Sequence, residues 1–276
     1  MIERVRALYW SPTGATRQLV EHVANAAAAE LGCPVEVVDF TPLAARQAEV
    51  AFGPNELAVV GAPTYAGKLP NKILPDFQSK LRAAGTPAIA VVTFGNRSFD
   101  NSLAELTATL GANGFQVVAG TALVSRHSMS HALGAGRPNE DDLADAAAFA
   151  SQAARKVAEA QAAGAPVAQP AISGDAAAPY YTPLQEDGTP AKFLKAKPLT
   201  DPELCDQCGD CVRLCPMGSI DAADVTSVPG ICIKCQACIH GCHAHAKYFD
   251  DPQLISHVAA LEKTEAAPKE NAFFLD

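Results

Sequence analysis

The sequence predicts an α/β protein: a doubly wound parallel sheet of about five strands, followed by a linker and a small α+β unit built around cysteines. Three observations predict it. Short apolar runs without polar alternation recur at 4–10, 35–39, 57–62, 87–94 and 115–124, as strands covered on both faces by helices require. Helical patterns at 15–31, 71–83, 99–111 and 140–162 give a regular strand, helix, strand order. Eight of the nine cysteines crowd between 205 and 242.

Bulk properties narrow the classes. With 276 residues and 49% hydrophobic content the chain can bury one large core and a smaller second one, which argues against disorder throughout. The formal net charge of -9, with no block of lysines and arginines, argues against nucleic acid and for partner proteins with basic faces. The start, MIERVRALYW, lacks the apolar core of a signal peptide. The most apolar long stretch, 143–172, is broken by Asp145, Arg155, Lys156 and Glu159, so no membrane span and a cytoplasmic setting are expected.

Proline, alanine and glycine dominate 164–198 and periodicity disappears there, as in a domain linker. Expected boundaries are therefore 1–163 for the first domain, 164–198 for the linker and 199–250 for the cysteine unit. Tyr180, Tyr181, Phe193 and Leu194 are apolar enough to lay the second half of the linker along a domain surface. In 251–276, Asp251 and Pro252 can begin a short helix carrying Leu254, Ile255, Val258 and Leu261, before a docking tail with Phe273, Phe274 and Leu275.

Ligands of open parallel sheets sit at the carboxyl ends of strands, beside a topological switch point. Three loops fall there. After the first strand, Ser11, Pro12, Thr13, Gly14, Ala15, Thr16 and Arg17 lead into a helix; hydroxyls, a glycine and free N–H groups at a helix N-terminus make a phosphate cradle. The same composition also serves an ordinary helix cap. After the third strand comes Pro63, Thr64, Tyr65, Ala66 and Gly67, with Tyr65 able to cover an aromatic face and Gly67 allowing close backbone approach. After the fourth come Phe94, Gly95, Asn96, Arg97, Ser98, Phe99 and Asp100. A single aromatic near a strand end is more often core, but Tyr65 and Phe99 together beside a phosphate-type loop favour a ligand. No G-x-G-x-x-G follows the first strand, and no catalytic triad or P-loop presents itself.

The cysteine block is an internal repeat: Cys205, Cys208, Cys211 and Cys215 recur 27 positions later as Cys232, Cys235, Cys238 and Cys242. Each copy reads C-x2-C-x2-C-x3-C, and the first continues into Pro216, the spacing of bacterial ferredoxins with two 4Fe-4S clusters. In that arrangement the fourth cysteine of each run ligates the other cluster. One set is then Cys205, Cys208, Cys211 and Cys242, the other Cys232, Cys235, Cys238 and Cys215. Zinc is the competing metal, but structural zinc pairs two separated C-x2-C knuckles. Disulfides compete only in an oxidising compartment. Four thiolates per cluster leave His240, His243 and His245 unneeded as ligands, and Cys33 reads as a small buried residue.

On these residues the first ~160 positions resemble the flavodoxin family. The resemblance implies FMN, with Ser11, Thr13, Gly14, Ala15 and Thr16 at its phosphate; Ala15 stands where the family has asparagine, one hydrogen bond fewer. It implies Tyr65, with Pro63, Thr64 and Gly67 of its loop, against the ring, and Gly95, Asn96 and Phe99, with Phe94, Arg97 and Asp100 of theirs, along its other side. The cysteine stretch resembles two-cluster ferredoxins in CPMGSI, but His243 stands where that family has proline, implying an altered loop and a shifted potential. With SRHSMSHALGAGRPNEDDL after the final strand, the whole layout resembles the EFR1-type flavodoxin-ferredoxin fusion family. What this implies is single-electron transfer between two 4Fe-4S clusters and FMN and on to a redox partner protein. A flavin reductase acting on a quinone or nitro compound, and a redox sensor, are the alternatives, and two chains could pair as a homodimer.

Overall fold

A computed structural model describes all residues, Met1–Asp276. The first half follows the expected alternation: β1 (Arg4–Tyr9), α1 (Ala15–Leu31), β2 (Val35–Asp39), β3 (Val50–Phe52), β4 (Glu56–Pro63), α2 (Leu74–Lys80), β5 (Leu81–Ala83), β6 (Thr86–Phe94), α3 (Ser102–Ala112), β7 (Phe115–Val124) and α4 (Glu140–Ala162). The main sheet runs β10-β7-β6-β4-β1-β2, where β10 is Ala272–Phe274. Its five parallel strands, counted along the chain, lie in the order 2-1-3-4-5, the flavodoxin-like arrangement, with the switch point between β1 and β4. β4 and β6 are buried almost throughout because helices cover both faces, whereas the edge strand β2 is largely exposed.

The sixth strand was not expected. β10 pairs antiparallel with β7, setting Phe273 opposite Thr121, so the tail covers an otherwise open sheet edge. Two further differences are local. The helix expected over 71–83 ends at Lys80, because buried Leu81 turns extended (ψ 134°) and β5 pairs with β3. The helix expected from 99 begins at Ser102, because Asp100 takes a left-handed turn (φ 39°).

α1 and α4 pack over one core with Val20, Val23, Phe149 and Val157; α2 and α3 cover the other with Phe77, Leu103 and Leu106. α4 starts in a capping box in which Asn139 and Asp142 exchange hydrogen bonds (2.8 and 2.9 Å). α1 crosses β4 so closely that a Cβ on Gly61 would lie 2.1 Å from Val20 Cγ2. Gly61→Ala is therefore expected to cost about 1–3 kcal/mol. Chemical denaturation should give a lower midpoint at unchanged slope; an unchanged midpoint would contradict this packing.

Residues 164–198 are tethered to the first domain and to the later chain. Val167 O accepts from Gln116 Nε2, Ala176 O and Ala178 O accept from Lys68 Nζ, and the Tyr180 hydroxyl donates to Leu69 O. Beyond them come β8 (Leu199–Thr200), α5 (Asp210–Leu214), α6 (Ala237–His240), β9 (Lys247–Tyr248) and α7 (Pro252–Thr264). The cysteine repeat is also a backbone repeat. Left-handed residues occur at Gln207, Gly209 and Gly218 (φ 60°, 77° and 58°) and, 27 positions on, at Lys234, Gln236 and His245 (φ 57°, 67° and 53°). The Asp251 carboxylate caps α7 through the N–H groups of Gln253 and Leu254. No helix is long and apolar enough to cross a membrane.

Candidate functional site

The three strand-end loops meet in one cleft of about 220 Å³. At one end, Gly14 adopts φ 91° and hands the chain into α1; the backbone N–H groups of Thr13, Gly14, Ala15 and Thr16 donate to no protein acceptor. Four free donors at a helix N-terminus suit a dianionic phosphate. Ser11 Oγ accepts from Arg17 N (2.9 Å), and the Thr16 and Thr93 hydroxyls pair at 2.7 Å, so these side chains brace the loop.

The second loop is a tight turn in which Tyr65 N–H donates to Lys68 O (2.8 Å) and Lys68 N–H returns to Tyr65 O (3.2 Å). Gly67 (φ 79°) is required there, since a Cβ would lie 2.3 Å from Asp100 Oδ2. Tyr65 stands edge-on to the buried Trp10, centroids 5.9 Å apart. Burial and the nearby Cys235 and Cys232 hold its phenol well above the usual range.

Of the residues expected at a flavin, Thr13, Ala15 and Thr16 line the cleft, as do Pro63, Thr64, Tyr65 and Gly67, then Phe94, Gly95 and Arg97. Ser11, Gly14, Asn96, Phe99 and Asp100 do not. Asn96 is engaged elsewhere: its Nδ2 donates to Glu265 O (2.7 Å) and Ala267 O (3.0 Å), and its Oδ1 accepts from Lys269 N (3.1 Å). Phe99 packs on Phe94 (5.6 Å), and Asp100 pairs with Arg97.

Sequence reasoning left other walls unassigned. Tyr181 and Phe193 from the linker, His257 and Leu261 from α7, and His127 and Met129 after β7 complete the cleft. Arg97 lies over the Tyr181 ring (4.1 Å), and Phe193 stacks on His257 (5.5 Å). Burial, reinforced by His257 and Arg97, pushes His127 down to about 4, so it is neutral near pH 7. The sequence offers His127, Ser128 and His131 as residues that could face a flavin or the cysteine unit, or sit in a plain loop before α4; the structure puts His127 and Ser128 in the cleft wall and His131 outside it.

The eight clustered cysteines line two cavities. One is bordered by Cys215, Cys232, Cys235 and Cys238, the other by Cys205, Cys208, Cys211 and Cys242. No three of these sulfurs lie within 4.8 Å of one another, whereas tetrahedral zinc at about 2.3 Å from each sulfur holds them closer than that. The one group of donors that close together is Asp206, Cys208 and His243, all exposed, and it holds a single cysteine. Backbone N–H groups of Ser219, Lys234 and Ala246 donate to Cys215, Cys232 and Cys242 Sγ at 3.3, 3.4 and 3.3 Å, stabilising negative sulfur. Burial pushes the Cys238 thiol up to about 12 and Cys235 higher, so their thiolates need a cation alongside.

The two cavities differ in setting. Cys235 and Ala237 are buried in the core that also holds Trp10 and Phe77, while Cys208 is exposed. Ile233 and Lys234 border both the first cavity and the cleft. Arg46, almost fully buried in the first domain, donates to Pro216 O, the carbonyl after Cys215. At the outer cavity His243, in the place of the expected proline, bonds Asp206 Oδ2 (2.9 Å) and lies 4.0 Å from Cys208 Sγ.

A family model described as a 4Fe-4S binding domain matches residues 197–220, which contain the first cysteine run. No curated protein matches the chain. Similar solved structures include a flavodoxin from the domain Archaea (17% identity, 56% of this chain and 99% of that one, TM-score 0.38). Others are a Streptococcus pneumoniae flavodoxin (21%, 55% and 98%, TM-score 0.38) and oxidised flavodoxin 2 from Bacillus cereus (14%, 55% and 99%, TM-score 0.40). The fold class rests on the strand order of the sheet. The chain thus joins a flavodoxin-like fold to a region that matches a 4Fe-4S binding model.

Proposed function

We propose that the chain relays single electrons between FMN in the cleft and two 4Fe-4S clusters, and on to a partner redox protein. FMN would be held by the N–H groups of 13–16, Tyr65 and the 94–97 loop; the inner cluster by Cys215, Cys232, Cys235 and Cys238; the outer by Cys205, Cys208, Cys211 and Cys242. FMN exchanges electrons singly or in pairs and each cluster one at a time, so together they convert between the two modes. The observation that carries this reading is the shared wall: Ile233 and Lys234 separate the cleft from the cavity of the inner set. That adjacency within one chain supports transfer inside the chain rather than between the members of a homodimer.

In this reading residues 1–163 form the FMN domain and 199–250 the cluster domain, with 164–198 joining them and 251–276 returning to the sheet. The exposed Cys208, beside Asp206 and Asp210, marks where a partner with a basic face would dock. Closely spaced cysteines used as metal ligands suit a reducing, cytoplasmic setting. Assignment to the EFR1-type fusion family belongs to the same proposal and rests on the motif layout.

Anaerobically prepared protein is expected to hold iron, sulfide and flavin together, and rapid mixing with a one-electron donor should reduce the flavin through the clusters. Clusters that bleach while the flavin stays oxidised indefinitely would reject the relay. One observation favours the second reading, a reductase: Phe99 packs against Phe94 and is not part of the cleft lining, so it does not cover the ring site. Turnover of quinones or nitro compounds at rates matching protein-to-protein transfer would favour it.

A further inference from the structure

Two neutral imidazoles face the cleft with opposite hydrogen-bonding character. His127 Nδ1 accepts from Met129 N–H (3.2 Å), so in the neutral ring the proton sits on Nε2. That Nε2 has no protein partner, yet it is not among the sealed, unpaired polar atoms, so it opens to the cleft. Its ring is held on the third loop: a Cβ on Gly95 would meet His127 Cδ2 at 2.5 Å. His257 is the reverse case. Its Nδ1–H donates to Leu184 O (2.8 Å), which leaves Nε2 a lone-pair acceptor, equally unpartnered. Phe193 fixes that ring by stacking on it at 5.5 Å. Burial lowers both imidazoles' basicity, for His257 against the hydrogen bond to Leu184, so neither readily gains a second proton.

A donor beside an acceptor suits a ligand edge in which a carbonyl adjoins an N–H, as in an imide or a pyrimidine. The phosphate end of the cleft is the 13–16 loop, whereas His127 stands on Gly95, at the ring end. An isoalloxazine carries such an imide on one edge and only hydrocarbon on the opposite one. We infer that His127 and His257 recognise the imide edge of the flavin, His127 Nε2–H donating to a ring carbonyl and His257 Nε2 accepting from the ring N–H. This rests on the cleft holding FMN, and it assigns α7, from beyond the cysteine unit, a direct part in flavin binding.

The test uses full-length protein with its clusters intact and its flavin removed, titrated anaerobically with FMN and with 3-methyl-FMN, binding being read from flavin fluorescence. The methyl group deletes the N–H and leaves His257 Nε2 unpaired, so the native protein is expected to prefer FMN by about tenfold. His257→Leu should erase that preference, and His257→Gln, which keeps an acceptor, should restore part of it. His127→Phe should weaken both flavins by about tenfold and leave the preference intact. Retained cluster absorbance reports that each variant has folded. Equal binding of the two flavins by native protein, or a preference that survives in His257→Leu, overturns the inference while FMN binding itself stands. If neither flavin binds, the FMN reading falls and the inference with it.

Discussion

Under the proposed relay, replacing Cys235 with alanine is expected to remove the inner cluster, halve the iron and sulfide per chain, and reduce electron delivery to the flavin to the background rate. The thiol sits at 8% exposure in the core shared with Trp10 and Phe77, beside Tyr65 of the cleft. With three thiolates left, that cluster lacks its fourth ligand, and the core gains a void at the junction of the two halves. Cys208→Ala is the control with the opposite expectation. Cys208 is exposed at the outer cavity, so its loss should also halve the iron but leave the inner cluster in exchange with the flavin. Anaerobic iron and sulfide analysis combined with rapid-mixing absorbance separates the variants. Equal rates of flavin reduction in the two would remove the distinction between an inner and an outer cluster.

Lys68→Met is expected to destabilise the first domain by about 3–5 kcal/mol, because it leaves a buried carboxylate without its cation. Lys68 Nζ lies 2.9 Å from Glu105 Oε1, with both side chains under a tenth exposed. It also holds the linker by donating to Ala176 O (2.7 Å) and Ala178 O (2.8 Å). Glu105 Oε2 meanwhile accepts from Leu69 N (2.8 Å), so the pair ties together the second loop, α3 and the linker. Lys68→Met/Glu105→Leu should recover much of the loss, since removing both charges leaves none buried alone. Urea unfolding under anaerobic conditions measures both. A single-variant loss below about 1 kcal/mol would mean that the pair is solvated and behaves as a surface bridge.

Much of the fold was legible because its determinants are local. The run at 115–124 gave its strand with the same limits because it is buried on both faces, and 140–162 its helix because one buried face repeats with the helical period; 35–39 matched too, although β2 lies at the exposed edge of the sheet. β3, β5 and β10 were not legible: each is three residues long, too short to carry a period, and exists only through its partner strand. Asn96 illustrates the limit at the site. Its loop position and amide mark it as a hydrogen-bonding residue, yet its partners are Glu265 and Ala267, 169 and 171 positions away.

By itself the sequence determined the strand and helix alternation, the three loops at strand ends and the doubled cysteine spacing, because each is written in neighbours a few positions apart. Tertiary structure alone decided that Cys235 is buried near Tyr65 while Cys208 is exposed, that His127 and His257 face one cleft, and that the tail closes the sheet. Those outcomes depend on burial and hydrogen bonds between residues more than a hundred positions apart, where chain proximity carries no information and only the summed packing selects a partner.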